Sequence, residues 1–284
     1  MTITRLGIVG SGIMGSGIAE VAAKSGVEVI LRSRQQASAD AMVAALEKSL
    51  AKQVERGKLE EQAAKEIAAR VSATDDLHAL HDCDLVLESV IEDLEVKKEL
   101  FSRLDDIVKP EGILATNTST LPVVELAVAT ERPDKVVGIH FFNPAPMMSL
   151  VEVIAPLTAS DDTVAAAKAF ATACGKDVVE VKDRAGFIVN ALLFPYLNNA
   201  VRMLEAGTAN RDDIDTAMKG GCNFPMGPLA LLDLVGLDTS LSILDALYAE
   251  FRDPNYAAMP LLRRMVAAGQ LGRKSGFGFY DYRK

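Results

Sequence analysis

Leu6-Gly7-Ile8-Val9-Gly10-Ser11-Gly12-Ile13-Met14-Gly15 joins a short apolar run to the helical run Ser16–Lys24. A G-x-G-x-x-G turn set between a buried strand and a helix is the dinucleotide-binding fingerprint. Gly10 permits the tight turn, Gly12 lets backbone approach a pyrophosphate, and Gly15 lets the helix pack closely on the strand. Backbone N–H groups of the opening helical turn then face the phosphates with positive partial charge. Gly10, Gly12, Ile13, Met14 and Gly15 are therefore candidate cofactor contacts.

Outward from this turn, strand and helix patterns alternate. Val27–Leu31 reads as a second strand. Met42, Leu46, Leu50 and Val54 recur every four residues on one face of a long helix. Gly57 ends that helix, and Leu59–Val71 reads as a return helix, so the pair forms a helical hairpin. Asp84–Glu88, Gly112–Thr116 and Val136–His140 read as strands, with a helix over Asp93–Val108 that stops before Pro110. Alternation of this kind implies parallel pairing with helices on both faces. Near Asp183–Gly186 the pattern changes to helical periodicity over Phe187–Glu205, Arg211–Lys219, Leu229–Phe251 and Pro260–Ala268. The expected fold is α/β: a Rossmann-type doubly wound sheet with a helical-hairpin insertion over 1–183, then an all-α domain over 184–284.

Apolar residues make up 49% of the 284, enough for a substantial core, and no run of about 20 apolar residues predicts a membrane span. A net charge of −9 argues against a general nucleic-acid partner. Met1–Arg5 lacks the layout of a signal peptide. Cys83, Cys174 and Cys222 form no C-x-x-C pair and read as reduced, mostly buried thiols of a cytoplasmic protein. His78 and His81 lie three apart with no converging ligand, which reads as a solvated face and predicts no metal site.

Several blocks carry a resemblance. Gly10–Gly15, Asn117-Thr118-Ser119-Thr120, His140-Phe141-Phe142-Asn143-Pro144, Leu150-Val151-Glu152-Val153, Gly186–Asn190, Pro225–Pro228 and Gly272–Gly276 stand in family order and spacing. The chain resembles the 3-hydroxyacyl-CoA dehydrogenases of the short, single-function type, most similarly the 3-hydroxybutyryl-CoA dehydrogenases, over nearly its whole length. The resemblance implies an acyl-CoA substrate and a homodimer built through the second domain. The apolar stretch Leu229–Leu237 and the following Leu241–Phe251 read as more apolar surface than about 100 residues bury alone.

His140 is the natural acid–base residue, because its reference pKa lies near neutrality and it follows a buried strand. Glu152, in an apolar run, needs a partner; pairing with one imidazole nitrogen fixes the tautomer and raises the basicity of the other. The resemblance gives Ser119 a catalytic contact and places Asn190 against substrate in an interdomain cleft. Ser119 also reads as a helix cap. By resemblance Asn117, Asn143, Glu92, Lys97 and Lys274 meet the cofactor. The two asparagines read equally as turn formers, and Glu92 and Lys97 as surface charge on the Asp93–Val108 helix. Ser49, Lys52 and Arg56 match the face that meets coenzyme A; Lys52 and Arg56, four apart, read also as a solvated basic face.

One departure bears on the cofactor. NAD users of the family carry an acidic residue after the second strand, whereas this chain has Arg32-Ser33-Arg34. Ser33 removes a repulsive carboxylate, and two guanidinium groups suit a 2′-phosphate. NADP(H) is the expected cofactor, with NAD(H) the alternative. Ala185, Ala191 and Phe224 also depart from the family pattern without touching the proposed catalytic residues. Two rival readings use the same residues or none of them: a sugar-acid dehydrogenase acting on an L-gulonate-like substrate without coenzyme A, and a catalytically silent NADP-binding sensor.

Overall fold

A computed structural model describes residues 1–283, which fall into two compact units, Met1–Asp183 and Arg184 onward. The first unit contains β1 (Arg5–Val9), α1 (Ile13–Lys24), β2 (Glu28–Arg32), α2 (Gln36–Glu55), α3 (Glu61–Ala69), β3 (Val71–Thr74), β4 (Leu85–Glu88), α4 (Leu94–Ile107), β5 (Ile113–Thr116), α5 (Val123–Ala127), β6 (Val136–Phe141), β7 (Leu150–Ala155), α6 (Asp161–Ala173) and β8 (Asp177–Lys182). They build one eight-stranded sheet in the order β3-β2-β1-β4-β5-β6-β7-β8. All pairs from β3 to β6 are parallel, β7 runs antiparallel to β6, and β8 is parallel to β7.

Every residue of β4, β5 and β6 is buried, as a parallel sheet covered on both faces requires. The chain steps outward from β1 in both directions, so the strand order reverses there. In doubly wound sheets the crevice at the carboxyl ends beside that reversal receives the ligand. Asp93 caps α4 by accepting from the Val96 N–H at 3.0 Å, which fixes where the chain turns after β4.

Three sequence expectations need correction. The return helix stops at Ala69, and Val71–Thr74 forms edge strand β3 beside β2, with Val29 opposite Val71. Four residues with one large apolar side chain give little periodicity, so pairing with β2 decides the structure there. Strand β8, Asp-Val-Val-Glu-Val-Lys, is an alternating edge strand that was not anticipated. The stretch Leu229–Phe251 is two helices of the second unit, not one.

That unit comprises α7 (Val189–Glu205), α8 (Arg211–Cys222), α9 (Pro228–Val235), α10 (Leu237–Phe251) and α11 (Pro260–Ala267). Gly236 separates α9 from α10 at φ 102°, a conformation L side chains rarely adopt. Asp215 of α8 caps α9, accepting from the Leu229 and Ala230 N–H groups at 2.8 and 3.0 Å. The apolar stretch read as surplus surface is mostly interior: Leu229, Leu232, Leu237, Leu244 and Leu247 join the core with Leu197 and Val201.

Candidate active site

Antiparallel pairing of β6 with β7 sets His140 directly opposite Glu152. Opposed residues project to the same sheet face, and the twelve-residue spacing closes as a hydrogen bond of 2.8 Å between His140 Nδ1 and Glu152 Oε2. Both side chains are buried. The Phe142 ring lies 4.5 Å from the imidazole, tilted by 52°. With Nδ1 bound to the carboxylate, proton transfer by this imidazole falls to Nε2.

The loop after β5 carries Asn117, Thr118 and Ser119 at the same end of the sheet. Asn117 Oδ1 accepts from the Phe141 N–H at 2.8 Å, tying this loop to the residue after His140. Glu92 Oε1 accepts from Thr118 Oγ1 at 2.6 Å and from the Ser119 N–H at 2.9 Å. Behind it lies a buried charge network absent from the sequence expectations. Lys97, 1% exposed, donates to both oxygens of Glu88 at 2.6 and 2.8 Å and lies 3.3 Å from Glu92 Oε2. Glu88 also accepts from Thr116 Oγ1 at 2.8 Å and from the Val90 N–H at 2.5 Å.

Lys97 is thus not a surface charge. Its ammonium neutralises a carboxylate that would be costly alone in the interior. The only sequence signal was Glu88 itself, a carboxylate ending the apolar strand Leu85-Val86-Leu87.

A cavity of about 570 Å³ lies at the carboxyl ends of β1, β2 and β4. Gly10, Gly12, Arg32, Ser33 and Arg34 line it. A side chain at Gly10 (φ 139°) would strike the Ser89 carbonyl oxygen at 2.2 Å, whereas beside Gly12 the space is open. A Cβ at Gly15 would meet Met42 at 2.7 Å and the Gly10 carbonyl at 3.1 Å, so α1 packs closely here. The start of α1 has no side-chain cap, and its first N–H groups are suited to phosphate. These residues fit a dinucleotide. Arg32 Nε donates to the Asp75 carbonyl at 3.3 Å, Ser33 is buried and Arg34 is exposed. Arg103 of α4 lines the same cavity and was not anticipated.

Ile13, Ser49 and Asn143 line a second cavity, about 340 Å³, between α1, α2 and the 143–146 segment. Met14 is half-buried beside it. Ser49 lies within a network in which the buried Glu20 carboxylate accepts from Lys24 at 2.6 Å and from Gln53 at 2.8 Å. Burial raises the Glu20 pKa, but bonds from Lys24, Ser49 and Gln53 outweigh it and leave the value below normal. Lys52 and Arg56 are exposed and line neither cavity. In the second unit, Asn190 is buried in the first turn of α7. Lys274 pairs with Asp238.

A fingerprint turn in a doubly wound sheet, with a carboxylate-held imidazole at its carboxyl end, defines a nicotinamide-dependent oxidoreductase. Residues 5–184 match the 3-hydroxyacyl-CoA dehydrogenase NAD binding domain, and residues 186–282 the C-terminal domain of the same family. A 3-hydroxybutyryl-CoA dehydrogenase of Clostridioides difficile is 48% identical over 99% of this chain and all of its own. The human mitochondrial hydroxyacyl-coenzyme A dehydrogenase is 41% identical over 99% of this chain and 92% of its own. The crystal structure of (S)-3-hydroxybutyryl-CoA dehydrogenase from Ralstonia eutropha superposes with a TM-score of 0.97 at 42% identity, covering both chains fully. The chain belongs to the 3-hydroxyacyl-CoA dehydrogenase family.

Proposed function

We propose that this enzyme interconverts (S)-3-hydroxybutanoyl-CoA and acetoacetyl-CoA with NADP(H). The observation that carries the reading is the 2.8 Å bond between His140 and Glu152. In the oxidation direction His140 Nε2 takes the proton of the C3 hydroxyl; in reduction it returns that proton to the forming alcohol. Glu152 holds the Nδ1–H and stabilises the imidazolium while it carries the extra proton. Ser119 Oγ donates to the reacting oxygen, and the Asn190 amide holds the substrate from the helical domain. A nicotinamide held in this site would supply the hydride chemistry. Gly10, Gly12, Ile13, Met14, Gly15, Asn117, Asn143 and Lys274 hold the cofactor, with Glu92 ordering the loop that presents Ser119. Ser49, Lys52 and Arg56 receive the coenzyme A portion of the substrate.

The NADP(H) preference rests on Arg32, Ser33 and Arg34 at the cavity wall. A charge-assisted contact of this kind contributes about 1.5–3 kcal/mol. A homodimer through residues 184–284 rests on apolar side chains left exposed there, among them Leu192, Met203, Phe224 and, from the otherwise mostly buried stretch Leu229–Leu237, Leu234. No helix among the described residues is long and apolar enough to cross a membrane; the cytoplasmic assignment rests on the cysteine usage.

Initial rates with acetoacetyl-CoA and with a free sugar acid, each with both nicotinamide cofactors, test the reading. Turnover of the thioester, faster with NADPH than NADH, is expected. Turnover of the sugar acid alone would favour the L-gulonate-like activity, and turnover of neither would favour a silent sensor.

A further inference from the structure

Helix α4 presents two neighbouring faces to different surroundings. Phe101 and Leu104 pack into the interior, and Lys97 closes the charge network behind Ser119. Val96, Glu99, Leu100 and Arg103, spaced by three and four residues, form a neighbouring stripe along the dinucleotide cavity. Arg103 is exposed, the last residue of that stripe. Arg32, Ser33 and Arg34, at the end of β2, line the same cavity.

We infer that Arg103 is a specificity-determining residue, which binds the 2′-phosphate of NADP(H) jointly with Arg32 and Arg34. The inference rests on the NADP(H) reading above and adds a third cation from a separate element. Electrostatics agree with the shared cavity. The Arg32 guanidinium is held below its ordinary pKa, first by burial and then by the positive charge of Arg103, ahead of that of Arg34. Asp75 and Asp76 act in the opposite sense, and Glu99 is the acidic residue on the Arg103 stripe. Cations gathered from two elements repel one another until an anion arrives between them. A phosphate monoester brings about −1.5 to −2 charges at neutral pH. A planar guanidinium meets its oxygens in a paired geometry that an ammonium does not reproduce. Placement on α4 also explains why Arg32-Ser33-Arg34 alone understates the pocket: the third cation lies nearly seventy residues further along the chain.

The test is calorimetric binding of 2′,5′-ADP, 5′-ADP and 3′,5′-ADP to the full-length protein and to Arg103→Ala and Arg103→Lys. The third nucleotide reproduces the phosphate position of coenzyme A, the other adenosine phosphate this enzyme meets. Wild type is expected to favour 2′,5′-ADP over both others. Arg103→Ala should lower the preference for 2′,5′-ADP over 5′-ADP by about 10-fold, the lower end for a charge-assisted contact. Arg103→Lys should recover only part of it. The ratio of kcat/KM for NADPH to that for NADH should fall in parallel. An unchanged ratio in Arg103→Ala, with wild-type preference for 2′,5′-ADP intact, would overturn the role of Arg103 alone. Equal wild-type binding of 2′,5′-ADP and 5′-ADP would overturn the NADP(H) reading and this inference with it. Tighter binding of 3′,5′-ADP than 2′,5′-ADP would assign the three arginines to coenzyme A and contradict both.

Discussion

Glu152 lies fully out of solvent, with its carboxylate on the His140 Nδ1 at 2.8 Å. Glu152→Gln keeps the shape but replaces an acceptor with an amide that can also turn its NH₂ toward the ring. The imidazole then loses its fixed tautomer. Turnover is expected to fall by about 100-fold with KM for substrate little changed, the pattern of a lost transition-state contribution; steady-state kinetics on the purified variant check it. A second residue-scale expectation concerns the thiols. Burial, helped by Asp82, pushes Cys83 up to about 12, and burial pushes Cys174 up to about 11, while Cys222 is exposed. A chromogenic disulfide reagent should titrate one thiol rapidly in the native protein and three after denaturation, and Cys222→Ser should abolish the fast phase. His140 and Glu152 were legible in the sequence because each was chemically out of place in an apolar run. Lys97 was not: a lysine on an amphipathic helix looks solvated until Glu88, nine residues earlier, is seen to bond it.

At the scale of elements, the strands that carry the site were readable and the edges were not. β1, β4, β5 and β6 are mostly apolar because both faces are covered; β3 and β8 alternate or carry little apolar pattern, and pairing defines them. The join of β1 and β4 rests on Asp84. Its carboxylate accepts from the Thr4 N–H and hydroxyl, both at 2.8 Å, from the Arg5 N–H at 3.0 Å, and from Lys109 Nζ at 2.6 Å. Burial alone would raise its pKa, but these donors outweigh it and hold it at about 2. A depressed carboxylate pKa means stability that is complete above the unfolded value of 3.8 and lost as pH falls through the folded one. Asp84→Asn is expected to destabilise the protein by about 2 kcal/mol at neutral pH. Urea unfolding should show the gap to wild type narrowing between pH 4 and pH 2; a gap independent of pH would contradict it. At the end of β2, Ser33→Asp combined with Arg32→Leu and Arg34→Leu should reverse the preference for NADPH over NADH, read from the two kcat/KM values. In wild type that preference should weaken as salt rises, because exposed charge pairs are screened.

For the whole molecule, the proposed function falls on both units: the sheet carries the cavity proposed for the nucleotide and the His140–Glu152 pair, and the helical unit carries Asn190. Association through the helical unit should give a dimer by light scattering at micromolar concentration. Charged substitutions at Leu234, 49% exposed, and Phe224, 41% exposed, should weaken it, and a monomeric wild type would contradict that arrangement. The most direct test is reduction of acetoacetyl-CoA by NADPH, followed by cofactor absorbance, in wild type and His140→Ala, with cofactor binding to both measured separately. The expected result is turnover in wild type, a loss of about 100-fold or more in the variant, and equal cofactor affinity. Near-wild-type turnover by His140→Ala would contradict acid–base catalysis by the Glu152-held imidazole.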